Sequence, residues 1–432
     1  AMIQLFLILC GSRLIRRRWW VLFLLGTLWM LAGCFLFLDA LDGALLVPLI
    51  YFTIPLALDG VWTLISSFSS TGGGRMLRLV KTTVCFLAVI LIILTPQYSG
   101  VTIGILVGLF LCLDAIWRGA SAWMVRYNGW RRGLFLAGFE FLFGFWSFIP
   151  WPTAWEGEVG IDVGTLLIYT ALIMWSLARR IRRLPQGSSI LTVLNFGETA
   201  FHARSGTDAA ELPERASRET VIVHVWTPTD TIVPVRRGVS RYVATVDKKG
   251  RVSTGHAALE LSPDVYISHY PAVEIERSGA EFTKVLRADS DNDVPGLFQS
   301  SYAEESAEWC PSTARVSLPG LNGVAIRRFW RKYSADTTYN LTRRSCAGAV
   351  AKALDAGMDG LFEKKIHSPV FLLRLLMRPE FWVAGFMRQR AMAMTWTPGI
   401  ALDYANALGH IVTVLGDCDD KRLTGSHEGK AP

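Results

Sequence analysis

The chain has 432 residues, of which 51% are hydrophobic and only 19% charged. A soluble chain of this size carries about 25% charged residues, and intrinsic disorder would need low hydrophobicity and many charges; seven cysteines are too few and odd in number for a disulfide-built secreted scaffold. Residues 1–187 hold nearly every long apolar run and carry 15 basic and 8 acidic residues, leaving 29 of the 44 basic and 28 of the 36 acidic residues to the rest. The net charge of +8 thus belongs to the apolar half and is not a nucleic-acid footprint, which needs a basic patch on a soluble domain.

The first residues are apolar and end in Leu7-Ile8-Leu9-Cys10. A lipoprotein signal needs a small residue before the Cys and a basic start, and neither is present. Residues 1–18 are expected to form a short interfacial segment.

A bilayer core about 30 Å thick needs about 20 apolar residues per helix. Six segments qualify: Trp19–Leu38, Leu45–Phe68, Leu79–Pro96, Val101–Tyr127, Leu134–Pro150 and Gly160–Ala178. Arg13, Arg16, Arg17 and Arg18 precede the first, and Arg75, Arg78 and Lys81 separate the second from the third. Arg126, Arg131 and Arg132 separate the fourth from the fifth, and Arg179, Arg180, Arg182 and Arg183 follow the sixth. The other loops carry Asp39, Asp42, Glu156, Glu158 and Asp162 and no Lys or Arg. By the positive-inside rule both ends, and everything after Arg183, face the cytoplasm of a bacterial-type inner membrane.

Leu58-Asp59-Gly60-Val61-Trp62 returns 55 residues later as Leu113-Asp114-Ala115-Ile116-Trp117. Gly-rich apolar hairpins with this repeated motif resemble the HdeD family of six-span membrane proteins over roughly residues 13–185. Asp59, Asp114 and Glu140, with Arg118, are intramembrane ionisable groups and by default functional candidates. The competing expectation is that the two Asp residues cap or pair within the bundle. A homo-oligomer through this domain is an open partner reading.

Residues 184–217 are polar and are expected to form a linker. Thr220–Trp226, Arg241–Val246, His256–Leu261 and Val265–His269 are β-branched, aromatic or apolar runs separated by turn residues, and predict an antiparallel meander. Residues 272–320 carry no strong signal. A helix is predicted from Ser345, with Cys346 in its first turn. The helix N-terminus and the neighbouring Arg343 and Arg344 favour a thiolate there.

A thiolate nucleophile needs an imidazole to take and return its proton, and a group to orient that imidazole. His256 opens one strand and His269 ends the next. Strand-start and strand-end residues of an antiparallel pair lie close together. Cys346, His256 and His269 are therefore expected to form a triad, with Glu260 and Asp264 as rivals for the orienting place and Tyr266 as a substrate contact. His224 is expected to be a packing residue. Cys310 and Cys418 lie outside any zinc-ligand spacing, and no metal or cofactor is expected.

Arg344-Ser345-Cys346-Ala347-Gly348-Ala349-Val350 resembles the nucleophile helix of the NlpC/P60 thiol enzymes. Here the histidines precede the Cys, an order similar to the circularly permuted lecithin:retinol acyltransferase and H-rev107-like group. Ser345 and Ala347-Gly348 depart from the eukaryotic lipid-acting members. The resemblance covers about residues 218–360 and implies a papain-like fold with a thioester intermediate.

Residues 361–418 mix bulky apolar residues with Arg374, Arg378, Trp382, Arg388 and Arg390, and are expected to be interfacial amphipathic helices with snorkelling Arg. Packing of these helices on the catalytic domain is the alternative, and residues 419–432 read as a disordered tail.

The expected architecture is multi-domain: an all-α six-helix transmembrane bundle over 19–183 and a cytosolic α+β permuted papain-like domain. The expected activity is acyl transfer or hydrolysis through a Cys346 thioester on a membrane phospholipid or lipid-linked substrate. Two alternatives stay open: a cysteine peptidase or amidase, and a transporter or stress-response membrane protein with an inactive thiol domain.

Overall fold

In the computed structural model the described residues are 2–42, 53–68, 73–94, 96–127, 129–149, 151–152, 157–185, 189–194, 217–227, 245–246, 252–253, 255–273, 275, 286–393 and 395–416. Two compact units divide the chain. One comprises Arg16–Ala120 and Arg131–Arg183; the other comprises Ala1–Ile15, Ser121–Trp130 and Leu184–Pro432.

The chain opens with α1 (Met2–Cys10) and α2 (Ser12–Arg17). Six helices then follow at the six apolar segments: α3 (Trp19–Asp42), α4 (Thr53–Phe68), α5 (Gly73–Leu94), α6 (Pro96–Val125), α7 (Trp130–Trp146) and α8 (Glu158–Arg182). Residues 43–52, at the start of the second expected span, lie outside the described residues. Three stretches are long and apolar enough to cross a membrane: Trp19–Leu41, Gly104–Val125 and Val159–Arg182. Thr82–Leu94 is apolar but shorter. The chain is thus a multi-domain membrane protein with a separate α+β region.

Small residues decide how these helices pack, as they do where lipid removes the hydrophobic drive between helices. Helix α3 lies against α8. A Cβ on Gly33 would meet the Gly164 carbonyl oxygen at 2.8 Å, and one on Gly164 would meet the Gly33 oxygen at 2.9 Å. Gly108 of α6 and Gly144 of α7 make the same kind of approach, at 2.7 Å and 3.0 Å. The first apolar helix is therefore paired with the sixth, a long-range contact absent from a simple run of sequence-adjacent hairpins.

In the other unit, β1 (Arg218–Trp226), β4 (His256–Leu261), β5 (Val265–Ile267) and β8 (Ala314–Asn322) form an antiparallel sheet in the order β5-β4-β1-β8. Short ladders join β2 (Thr245–Val246) to β3 (Val252–Ser253) and β6 (His269–Pro271) to β7 (Gly296–Phe298). The rest of the expected strand Arg241–Val246 and the turn after it lie outside the described residues. Beyond the short α9 (Leu191–Leu194), the helices here are α10 (Tyr302–Glu308), α11 (Gly323–Tyr333), α12 (Cys346–Met358), α13 (Pro369–Leu376), α14 (Pro379–Ala393) and α15 (Pro398–Gly416).

Period-2 alternation sorts the sheet. Val221, Val223, Val225, Ala257, Leu259, Leu261 and Ile267 share one face and are buried. Helices α12 and α15 pack on these strands. His224, Trp226, His256, Ala258 and Tyr266 share the other face.

Two sequence expectations change here. Helix α1 is not interfacial: Leu5, Leu7, Ile8, Leu9 and Cys10 are buried, and α1 packs on α12 and α14. The Gly360 and Phe362 amides donate to the Ile8 and Leu9 carbonyls, both at 3.0 Å. Ser12 bonds Asp359 through its amide and its hydroxyl. A nine-residue helix that is apolar all round is short for a span and suits a core. Helix α15 is likewise core, with Ile400, Tyr404, Leu408 and Ile411 buried.

Arg388 does not snorkel. It is 1% exposed, donates from Nε and Nη2 to Asp355 Oδ2 at 3.0 and 2.9 Å, and from Nη1 to Gln4 Oε1 at 2.8 Å. Tyr404 Oη donates to Asp355 Oδ1 at 2.6 Å. Removing one partner of a buried pair strands the other charge and costs about 3–5 kcal/mol. Arg388→Met is therefore expected to lower the denaturant midpoint of this unit sharply, while Arg374→Met, at an exposed position on α13, leaves it unchanged. Equal midpoints for the two variants would contradict a buried pair.

Candidate active site

Cys346 begins α12 as expected. Ser345 is the N-cap, and its hydroxyl accepts from the Gly348 amide at 3.3 Å. Capping leaves the first amides of the helix unpaired within it and the positive end of its dipole at the cysteine. Cys346 is 7% exposed. Helix α12 packs against β4, which His256 opens, and against β6, which His269 opens.

The two histidines part company at Ser268. Strand β5 ends at Ile267, and His269 starts the separate ladder with β7, paired to Phe298. Continuing the β4/β5 register beyond Leu259↔Ile267 brings Tyr270, not His269, opposite His256. Alternation puts Ser268 and Tyr270 on the side of His256 and turns His269 away. The Tyr270 ring stacks on the His256 ring at 4.0 Å and 15°. His256 Nε2 lies 2.9 Å from Ser268 Oγ and 3.3 Å from Glu305 Oε1. His269 instead sits among Phe298, Tyr333 and Tyr339. Its Nε2 lies 3.3 Å from the Thr337 carbonyl and its Nδ1 3.0 Å from Tyr333 Oη.

Both imidazoles are neutral at physiological pH. Burial, reinforced by neighbouring His269, lowers His256 to about 3. Burial lowers His269 to about 4, against the Thr337 carbonyl bond that favours its charged form. Each tautomer follows from its partners. A carbonyl can only accept, so His269 carries its proton on Nε2; at His256 the Ser268 hydroxyl can donate or accept, and the Glu305 carboxylate 3.3 Å away favours a proton on the same nitrogen. Nδ1 of His269 then accepts from Tyr333, and the polar contacts of His256 among the described residues are made by Nε2.

Glu305, on α10, gave no signal in the sequence. It is 2% exposed. Tyr270 Oη donates to its Oε1 at 2.6 Å, and Tyr266 Oη donates to its Oε2. Burial and the Glu305 charge push both phenols above their ordinary range, so they stay protonated donors. Tyr270 also lies within electrostatic reach of Cys346. A cavity of about 340 Å³ opens alongside, lined by Tyr270, Gln299, Glu305, Glu308 and Trp309.

The remaining candidates are placed as follows. Tyr266 is buried and tied to Glu305, not open to a ligand. Arg344 donates to the Thr338, Tyr333 and Asp336 carbonyls and lies 3.9 Å over the Tyr333 ring. Arg343 pairs with Asp293. Glu260 lies 3.0 Å from His224 Nε2, and Asp264 pairs with Arg327, so neither rival reaches His256. Arg374 is exposed, as are Trp382, Val370, Leu373, Leu376 and Phe386. In the helical unit, Arg118 Nε bonds Asp114 Oδ2 at 2.8 Å and Arg118 Nη1 lies 3.3 Å from Glu140 Oε2. Asp114 and Glu140 are thus tied together by one cation, the pairing alternative. The side chain of Asp59 lies outside the described residues. Burial pushes the Cys10 thiol up, away from nucleophilic use.

No family model, curated protein or solved structure matches this chain.

The lowered histidines set a pH dependence of stability. Unfolded imidazoles take a proton near 6.5, whereas these two do so near 3 and 4 in the fold. Below pH 6.5 the unfolded chain binds more protons, so stability falls as pH drops towards 4. The thermal midpoint of the α+β unit is expected to fall over this window. In a His256→Gln/His269→Gln variant the fall should be shallower; parallel curves would contradict buried neutral histidines.

Proposed function

We propose that the chain is a membrane-anchored thiol enzyme that acts through an acyl-thioester on Cys346. The observation that carries it is the conjunction of three features in one unit. A capped helix begins at a cysteine, the strand it packs on begins at a histidine bonded through Nε2, and a cavity opens beside the aromatic ring stacked on that histidine. His256 Nδ1 takes the thiol proton as Sγ attacks the substrate carbonyl, then gives it to the leaving group. The amides at the start of α12 stabilise the oxyanion. Water, an amine or a hydroxyl then accepts the acyl group. The role first expected of His269, orienting the base, becomes one of holding Tyr333 and the loop before Cys346.

A helix led by the cysteine and packed on an antiparallel sheet supports the permuted papain-like, NlpC/P60-like arrangement. Membrane acyl lipid at the cytoplasmic leaflet is the substrate class we favour. Covalent attachment to membrane-crossing helices supports it, as does the exposed apolar face of Val370, Leu373, Leu376, Trp382 and Phe386 beside Arg374. Six spans with both termini cytoplasmic, in an HdeD-like bundle, complete the proposal; the alternating loop charge supports it. A cysteine amidase or peptidase is the second reading, favoured by Gln299 and Glu308 on the cavity wall, which offer hydrogen bonds to amide groups.

Intact mass spectrometry of the detergent-purified protein after incubation with total bacterial lipid tests the proposal. An acyl mass should appear on the parent and be absent from a folded Cys346→Ala variant. No adduct with lipid, but turnover of an amide library that needs Cys346, would replace lipid with amide as substrate. An adduct that survives in Cys346→Ala would overturn the mechanism.

A further inference from the structure

We propose that Glu305 is the positioning residue of the thiol site: its carboxylate holds the His256 imidazole in the Nε2–H tautomer and turns Nδ1 toward the Cys346 thiol. The inference rests on the thiol-enzyme reading and assigns the orienting place to a residue on a different element from the histidines. Three observations carry it. Glu305 Oε1 lies 3.3 Å from His256 Nε2, and both groups are buried. Each carboxylate oxygen accepts a phenol O–H, from Tyr270 and Tyr266, so the carboxylate cannot rotate away. The helix that bears it is pinned at both ends.

That pinning is aromatic. Tyr302, the first residue of α10, stacks on His224 at 3.9 Å and 15°. His224 is itself held between Ser312 Oγ and Glu260. Trp309, just past the last turn, stacks on Trp226 at 5.7 Å and 25°. Trp226 Nε1 donates to the Cys310 carbonyl at 2.8 Å. Ser301 caps the helix by accepting from the Glu304 amide. A seven-residue helix is marginal alone; stacking at both ends fixes where its one buried carboxylate points.

The chemistry balances as one proton relay. The Cys346 S–H bond breaks and its proton goes to His256 Nδ1. The imidazolium keeps its Nε2–H against the carboxylate, which offsets the new charge without taking the proton. Around His256, Glu305 from α10 lies against Nε2, Tyr270 from β6 stacks on the ring, and His269 from β6 acts electrostatically from the other side of the strand. Of these, Glu305 alone is a carboxylate. An acid in this place favours transfer of the thiol proton, while burial and His269 oppose it.

The test is the rate at which iodoacetamide alkylates Cys346 in the full-length, detergent-purified protein, followed from pH 5 to 10 by peptide-resolved mass spectrometry. The variants are Glu305→Gln, Glu305→Asp, Tyr270→Phe and Glu304→Gln. Glu305→Gln should slow alkylation at pH 7 by roughly tenfold or more and move the pH midpoint upward by about one unit. Glu305→Asp keeps the charge and should recover part of the shift. Tyr270→Phe, which frees one oxygen of the carboxylate, should move the midpoint in the same direction by less. Glu304→Gln, at an exposed position on the same helix and away from the cavity wall, should match the parent. If Glu305→Gln does not fold, Glu305→Asp and Tyr270→Phe decide the matter. A parent midpoint shifted below an ordinary thiol but unmoved in the Glu305 and Tyr270 variants would overturn the role of Glu305. A parent midpoint at the ordinary value near 8.5 would overturn the thiol reading itself.

Discussion

The buried guanidinium of Arg388 sets the frame of the α+β unit. A charge at 1% exposure is tolerable only with a counter-charge and further hydrogen bonds. Asp355 supplies the charge, Gln4 accepts a third bond, and Tyr404 saturates the other carboxylate oxygen. Those residues come from α1, α12, α14 and α15, segments separated by most of the chain. Asp355 lies on α12, nine residues after Cys346 and so about two and a half turns along the helix. The polar cluster therefore fixes the helix whose first residue is the proposed nucleophile, while the apolar residues around it supply most of the burial.

From that fixed helix the site follows by alternation along the strands. His256, Ser268 and Tyr270 share a side because the register and the period of two put them there. His269 belongs to the opposite side and to another ladder. Stacked rings around His256 exclude water, keep the imidazole neutral and leave hydrogen bonds to choose the tautomer. The same aromatic layer holds α10, so Glu305 is positioned by packing at a distance from the reacting atoms.

Much of this was legible in the sequence, and the exceptions have physical causes. Hydropathy located the six helices, and the Ser345 cap with the Ala-rich run after it located α12 from its first residue. The meander over His256–Ile267 was likewise visible in its β-branched and turn residues. The break at Ser268 was not, because an unbroken apolar-aromatic run hides where a strand changes partner. Strand β8 was hidden by Pro319-Gly320, which reads as a turn yet sits in the strand near the bulge opposite Glu219–Val221. Helix α10 reads as a polar, acidic surface stretch; burial of one of its three glutamates follows from Tyr266 and Tyr270, which are remote in sequence. Arg388 looked like an interfacial arginine because its partner Asp355 lies 33 positions away.

The central claim is that the fold makes a buried cysteine the reactive one. Cys346 is 7% exposed, whereas Cys310 is partly exposed. Access alone would make Cys310 react first. The direct measurement is the order of labelling when the full-length protein meets a limiting amount of iodoacetamide at pH 7, read cysteine by cysteine by mass spectrometry. The account predicts that Cys346 is labelled ahead of Cys310 and that His256→Ala reverses the order. Labelling of Cys310 first in the parent protein would contradict it.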